Sequence, residues 1–100
     1  MTNRVIGRLL KGVPDWSRRG PWIRRTYRFA DFVRSLEFVN RVGKKAEKSH
    51  HHPDIDIRYS RVTLKLTTHD RGGLTRKDFG LARQCDEVYA RYFKRTRGDQ

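Results

Sequence analysis

Hydrophobic positions along this chain switch between two periods, and the switches mark its elements. Val5, Ile6, Leu9 and Leu10 share one face of a short helix over Asn3–Lys11, which Gly12 and Pro14 stop. A weakly strand-like segment begins at Trp16, and Gly20-Pro21 marks a turn. Trp22 to Phe29 then alternates. Ile23, Arg25, Tyr27 and Phe29 fall on one side, and Trp22, Arg24, Thr26 and Arg28 on the other. Arg25 interrupts the apolar side, which points to an edge or half-exposed strand. Behind a capping Asp31, helical spacing returns from Phe32. Val33, Leu36, Val39, Val42 and Ala46, with Phe38 beside them, form the expected packing stripe; Arg34, Glu37, Arg41, Lys44, Lys45 and Lys48 lie opposite.

Pro53 disfavours helix in the residue before it, so the chain turns extended there. Ile55, Ile57 and Tyr59 alternate with Asp56 and Arg58, and Val62, Leu64 and Leu66 with Thr63, Lys65 and Thr67. With Ser60-Arg61 between them, these runs predict a β-hairpin with one face on the core. Lys65, Thr67 and His69 share the polar parity of the second strand, which Gly72-Gly73 breaks. Thr75 with Asp78 three residues on, and Leu74 with Phe79, read as a capping box and a hydrophobic staple. The helix that follows carries Leu81, Ala82, Cys85, Val88, Tyr89, Tyr92 and Phe93, and Thr96–Gln100 reads as a polar tail. The order α-β-β-α-β-β-α predicts an α+β fold, a four-stranded antiparallel sheet with helices packed on one face.

One hundred residues fit a single domain spanning 1–100. A core of that size has little to spare, which favours a homo-oligomer. No apolar run reaches the roughly 18 residues of a membrane span, and Met1–Leu10 lacks the apolar core of a secretory signal. Its basic, acid-poor character leaves an organelle open. Cys85, the single cysteine, sits in a helical pattern as a small core residue. Together these features point to a soluble cytoplasmic protein. The net charge of +13 attracts anions, nucleic acid among them. Arg18, Arg19, Arg24, Arg25 and Arg28 interleave with Trp16, Trp22 and Tyr27, as a single-strand-binding surface would. The simpler reading, Trp16 and Tyr27 as core residues with solvated arginines around them, is preferred.

The candidate chemistry lies in the histidines. All four fall within twenty residues: His50, His51, His52 and, at a strand end, His69. Histidine gives and takes protons near neutral pH. A metal site is disfavoured, because consecutive residues of an extended chain point in opposite directions and no helical His-x-x-x-His pair exists. Glu47 lies within a turn of the cluster, Asp70 follows His69, and Asp78 opens a helix. Carboxylates so placed can fix an imidazole's tautomer. Ser49, Ser60 and Cys85 lack a nucleophile's setting, and Arg71-Gly72-Gly73 is no phosphate loop.

Ala46-Glu47-Lys48-Ser49-His50-His51-His52-Pro53-Asp54-Ile55, with Thr68-His69-Asp70, Gly72-Gly73-Leu74-Thr75 and Asp78, resembles the pterin-4a-carbinolamine dehydratases. Tyr27-Arg28-Phe29-Ala30-Asp31-Phe32 and Trp16 extend the resemblance over nearly the whole chain. It implies a homodimer or homotetramer that dehydrates 4a-hydroxytetrahydrobiopterin to quinonoid dihydropterin, in tetrahydrobiopterin recycling, without metal or organic cofactor. The implied catalytic residues are His51, His52 and His69, with Glu47, Thr68, Asp70 and Asp78 binding substrate or orienting histidines. His50 stands outside that set, and Ile55 replaces a tryptophan of animal members. The competing class is a non-catalytic module on the same fold, such as a transcriptional coactivator, an assembly factor or a basic nucleic-acid-binding protein. The intact histidines favour the enzyme.

Overall fold

A computed structural model describes residues 1–93. The elements are α1 (Asn3–Leu10), β1 (Ser17–Arg19), β2 (Trp22–Arg28), α2 (Phe32–Ser49), β3 (Asp54–Arg58), β4 (Arg61–Leu66), a single 3-10 turn (His69–Arg71) and α3 (Arg76–Tyr92). The strands form one antiparallel sheet in the order β1-β2-β4-β3. This is the α+β architecture expected from the periodicity; the tail expected over Thr96–Gln100 lies outside the described residues.

Side-chain caps set the helix starts. Thr2 accepts from the Val5 amide, Asp31 from the Arg34 amide, and Thr75 and Asp78 form a reciprocal capping box. The core lies on one side of the sheet. There Ile23, Tyr27, Val62, Leu64 and Leu66 meet Phe38, Val42 and Ala46 of α2, and Phe79, Ala82, Cys85 and Val88 of α3. Among the described residues no element covers the opposite face, where Arg24, Thr26 and Arg28 are exposed.

Packing revises the sequence expectations in three places. The buried stripe of α2 is Ser35, Phe38, Val42 and Ala46, whereas Val33 and Leu36 are 54% and 38% exposed. Phe38 sets this phase: its ring packs on Tyr27, Phe29 and Phe93 at centroid distances of 4.6–5.8 Å, burying more apolar surface than a valine can. Of the two alternatives raised by Arg25, the edge strand fails, because β2 lies between β1 and β4, and the half-exposed strand holds. The Arg25 guanidinium reaches Asp86 of α3 at 2.8 Å and lies 4.3 Å from the Tyr27 ring centroid, so the charge on the core side is neutralised. Finally, only β4 of the second hairpin is buried. β3 is an edge strand with Ile55 and Ile57 39% and 37% exposed, and Tyr59 leaves the strand for a turn with φ 51°. The aromatic-basic segment divides as preferred above: Trp16 and Tyr27 are buried, and both bond to Asp86.

Candidate active site

Strand direction gathers the histidines. β4 runs antiparallel to both β2 and β3, so the starts of β2 and β3 meet the end of β4 at one edge, where Ile23 pairs with Leu66 and Asp54 with Lys65. Trp22, the His50–Asp54 connection and Thr67–His69 therefore converge, although they are far apart in sequence.

His50 makes the bend that leads into the site. It caps α2 in the left-handed conformation at φ 55°, and the amides of His50 and His51 bond back to the Glu47 and Ala46 carbonyls. Its role is to end the helix. Pro53 then keeps the chain from re-entering helix, and the next two histidines diverge. His51, 12% exposed, places Nε2 2.6 Å from Asp78 Oδ1. His52 is 59% exposed and places Nε2 2.6 Å from Glu47 Oε2. Both carboxylates are acceptors, so each ring carries its proton on Nε2 and leaves Nδ1 as the free lone pair when neutral.

Asp78 is fully buried and fully used. Its second oxygen accepts from the Thr68 hydroxyl at 2.8 Å and the Thr75 amide at 2.9 Å. One residue thus starts α3, ties in the end of the sheet and holds His51. Thr68 touches no histidine in this network and acts through Asp78. His69 begins the 3-10 turn that Gly72 ends at φ 70°, and the Thr68–Gly73 bridge closes its base. Thr67 ties the same strand end to the first hairpin by donating to the Pro21 carbonyl at 2.6 Å. Asp70 is exposed and bonds to no histidine among the described residues.

A cleft enclosing about 110 Å³ lies between these segments, lined by Trp22, His52, Asp54, Lys65, Leu66, Thr67 and His69. His52 and His69 thus share one space, with His51 anchored outside its lining. Trp22 and Lys65 lie outside the sequence motif, and Asp54 lies within it but has no assigned role. The available signal was Trp22 itself, a bulky aromatic on the polar side of β2. A larger groove of about 630 Å³ between α2 and α3 is lined by Arg41, Lys44, Lys45, Glu87, Arg91 and Tyr92 among others, and holds no histidine.

Among the described residues, no three His, Cys, Asp or Glu side chains converge as a metal-ligand set. The divergence of His51 and His52 is the geometric reason within the cluster. Cys85 is fully buried; burial, then the nearby Asp86 charge, pushes its thiol up to about 12. Its thiol stays protonated near neutral pH, the opposite of an activated nucleophile. Burial, and next the hydrogen bond to Asp86, likewise raise the Tyr27 phenol.

The geometry can be set beside known proteins. The family model described as pterin 4 alpha carbinolamine dehydratase matches residues 1–88. A Chloroflexus aurantiacus protein provisionally named pterin-4-alpha-carbinolamine dehydratase is 57% identical over 88 residues, 88% of this chain and 95% of that protein. An Acidobacterium capsulatum protein of the same provisional name is 52% identical over 88 residues, 88% of this chain and 96% of its own length. A crystal structure of a transcriptional coactivator/pterin dehydratase from Brucella melitensis superposes with a TM-score of 0.85 at 29% identity, covering 88% of this chain and 96% of that one. The chain belongs to the pterin 4 alpha carbinolamine dehydratase family. No helix among the described residues is long and apolar enough to cross a membrane.

Proposed function

We propose that this protein is a dehydratase acting on 4a-hydroxytetrahydropterins, with His52 and His69 as its acid–base pair. The supporting observation is that these two histidines, from separate segments, line one cleft while Glu47 holds His52. The reaction breaks the C4a–O bond, and the hydroxyl takes a proton and leaves as water. An adjacent ring nitrogen loses its proton, and the electron pair of that N–H bond forms the C=N bond of the quinonoid dihydropterin. One proton enters and one departs, with no net redox change. A neutral His52 with Nε2–H on Glu47 presents Nδ1 as the base, and a protonated His69 across the cleft serves as the acid. His51, the third histidine, is fixed by Asp78 outside the cleft lining and positions the segment that carries His52. Recycling of tetrahydrobiopterin is the corresponding physiological role.

The active form we propose is a homo-oligomer. Among the described residues no strand pairs with the outer edge of β3, where Ile55 and Ile57 are partly exposed, and such an apolar edge invites a second copy. Light scattering on a sizing column should then give at least twice the 11.9 kDa chain mass.

The functional test is the dehydration rate of 4a-hydroxytetrahydropterin made in situ. The wild type should exceed the spontaneous rate, and His52→Ala and His69→Ala should each lose about 10²- to 10⁴-fold of the enzymatic rate while remaining folded. A folded wild type no faster than solvent would defeat the proposal.

A further inference from the structure

An indole on the wrong side of a strand needs a reason. Ile23 and Tyr27 face the core, so Trp22 falls on the open side of β2 with Arg24, Thr26 and Arg28. Only half-buried there, it stands against the histidine cleft. Lys65 reaches it from the next strand. It is the cross-strand partner of Arg24, hence a diagonal neighbour of Trp22 on the same face, and its ammonium lies 4.3 Å from the indole centroid. Trp22 and Lys65 both line the cleft.

The enclosed volume of about 110 Å³ is well below the roughly 300–1,000 Å³ of pockets that engulf a drug-sized ligand. A bicyclic ring reacting between His52 and His69 must therefore extend onto the open sheet face, where Trp22 and Lys65 are. A lysine ammonium on a flexible stem over a partly exposed ring is held weakly, whereas a flat heterocycle stacked on the same face is held more strongly. The exchange favours the heterocycle and frees the ammonium for a new partner.

We propose that Trp22 and Lys65 form a substrate-docking platform: the indole stacks on the flat bicyclic ring, and the displaced Lys65 ammonium donates to the ring's carbonyl-bearing edge. This rests on the dehydratase reading above and adds the class of group the cleft selects, a planar heterocycle with a carbonyl edge. Neither residue handles a proton of the reaction; both position the ring.

The experiment is steady-state kinetics, paired with equilibrium binding of a reduced pterin that lacks the 4a-hydroxyl. Trp22→Ala should raise KM about tenfold with kcat within about threefold, a loss of about 1.4 kcal/mol. Trp22→Phe keeps an aromatic face and should restore KM to within about threefold of wild type, and Lys65→Met should raise KM severalfold. Melting temperatures show whether each variant folds, and Trp22→Leu carries the test if alanine disturbs β2. An active wild type whose folded Trp22→Ala or Trp22→Leu variant keeps its KM and its pterin affinity overturns the platform alone. An inactive wild type whose pterin binding still depends on Trp22 overturns the dehydratase reading and supports the platform. Neither activity nor binding overturns both.

Discussion

Replacing Asp78 by alanine removes one carboxylate from three donors at once. The Thr75 amide loses its partner in the capping box of α3, which costs about 1 kcal/mol. The Nε2–H of His51, largely shielded from water, loses its acceptor at 2.6 Å, a further 1–3 kcal/mol or so. The Thr68 hydroxyl keeps Thr75 as a partner at 2.8 Å and adds little. The expected loss is about 2–4 kcal/mol, or roughly 10–30 °C in Tm for a domain of this size. Urea titration and thermal melts read this directly. Asp78→Asn separates structure from chemistry. Its carboxamide oxygen can still serve Thr68 and Thr75, but its NH₂ then faces His51 and forces that ring to accept at Nε2, moving the ring proton to Nδ1. Asn should therefore recover at least half the stability lost with alanine while inverting the His51 tautomer, visible in ¹⁵N NMR of the ring. An alanine variant within about 0.5 kcal/mol of wild type, or an asparagine variant that keeps the Nε2–H tautomer, would refute this account of the buried carboxylate.

Other expectations follow from single features. His50→Gly should stabilise the fold by about 0.5–1 kcal/mol, because glycine occupies the φ 55° position without strain, and it should leave the dehydration rate unchanged; a loss of activity would add His50 to the site. Gly72→Ala should cost about 1 kcal/mol at φ 70°, checked by urea midpoint, and a neutral result would mean the turn after His69 relaxes freely. Stability should also fall at alkaline pH. The unfolded Cys85 thiol ionises near its ordinary 9.0, while in the fold it keeps its proton to about 12; the Tyr27 phenol is likewise raised above its ordinary 10.0. The folded chain thus binds more protons across that window, so the full stability is present below pH 9 and is lost as pH rises. The slope is up to about 1.4 kcal/mol per pH unit for each group, and flat urea midpoints from about pH 8 to about pH 11 would contradict it.

Much of this molecule was legible in the order of its residues. The starts of α2 and α3 announced themselves through short polar caps, Asp31 and Thr75 with Asp78, whereas the Thr2 cap of α1 did not, and β4 alternated cleanly enough to give its buried face. The phase of α2 did not follow from apolar periodicity, since Val33 and Leu36 suit the period as well as Phe38 does. The choice depends on which side chain fills the space beside Tyr27, a tertiary question. Arg25 misled for a similar reason: its partner Asp86 lies 61 residues away. Within the site, Glu47 was in reach of the cluster by helical spacing, whereas the pairing of His51 with Asp78 required knowing that α3 starts beside the end of β4. Trp22 and Lys65 belong to no motif, and although each could be placed on the polar side of its own strand, only the strand register brought the two together.

The central claim is that His52 and His69 work as one acid–base unit, and a double-mutant cycle on the dehydration rate tests it most directly. If they act together, each alanine variant falls about 10²- to 10⁴-fold, and the double variant falls at most about tenfold below the weaker single, because the unit is already broken. If instead the two losses multiply, the histidines act independently, and if neither folded variant is slower than wild type the cleft is not the catalytic site.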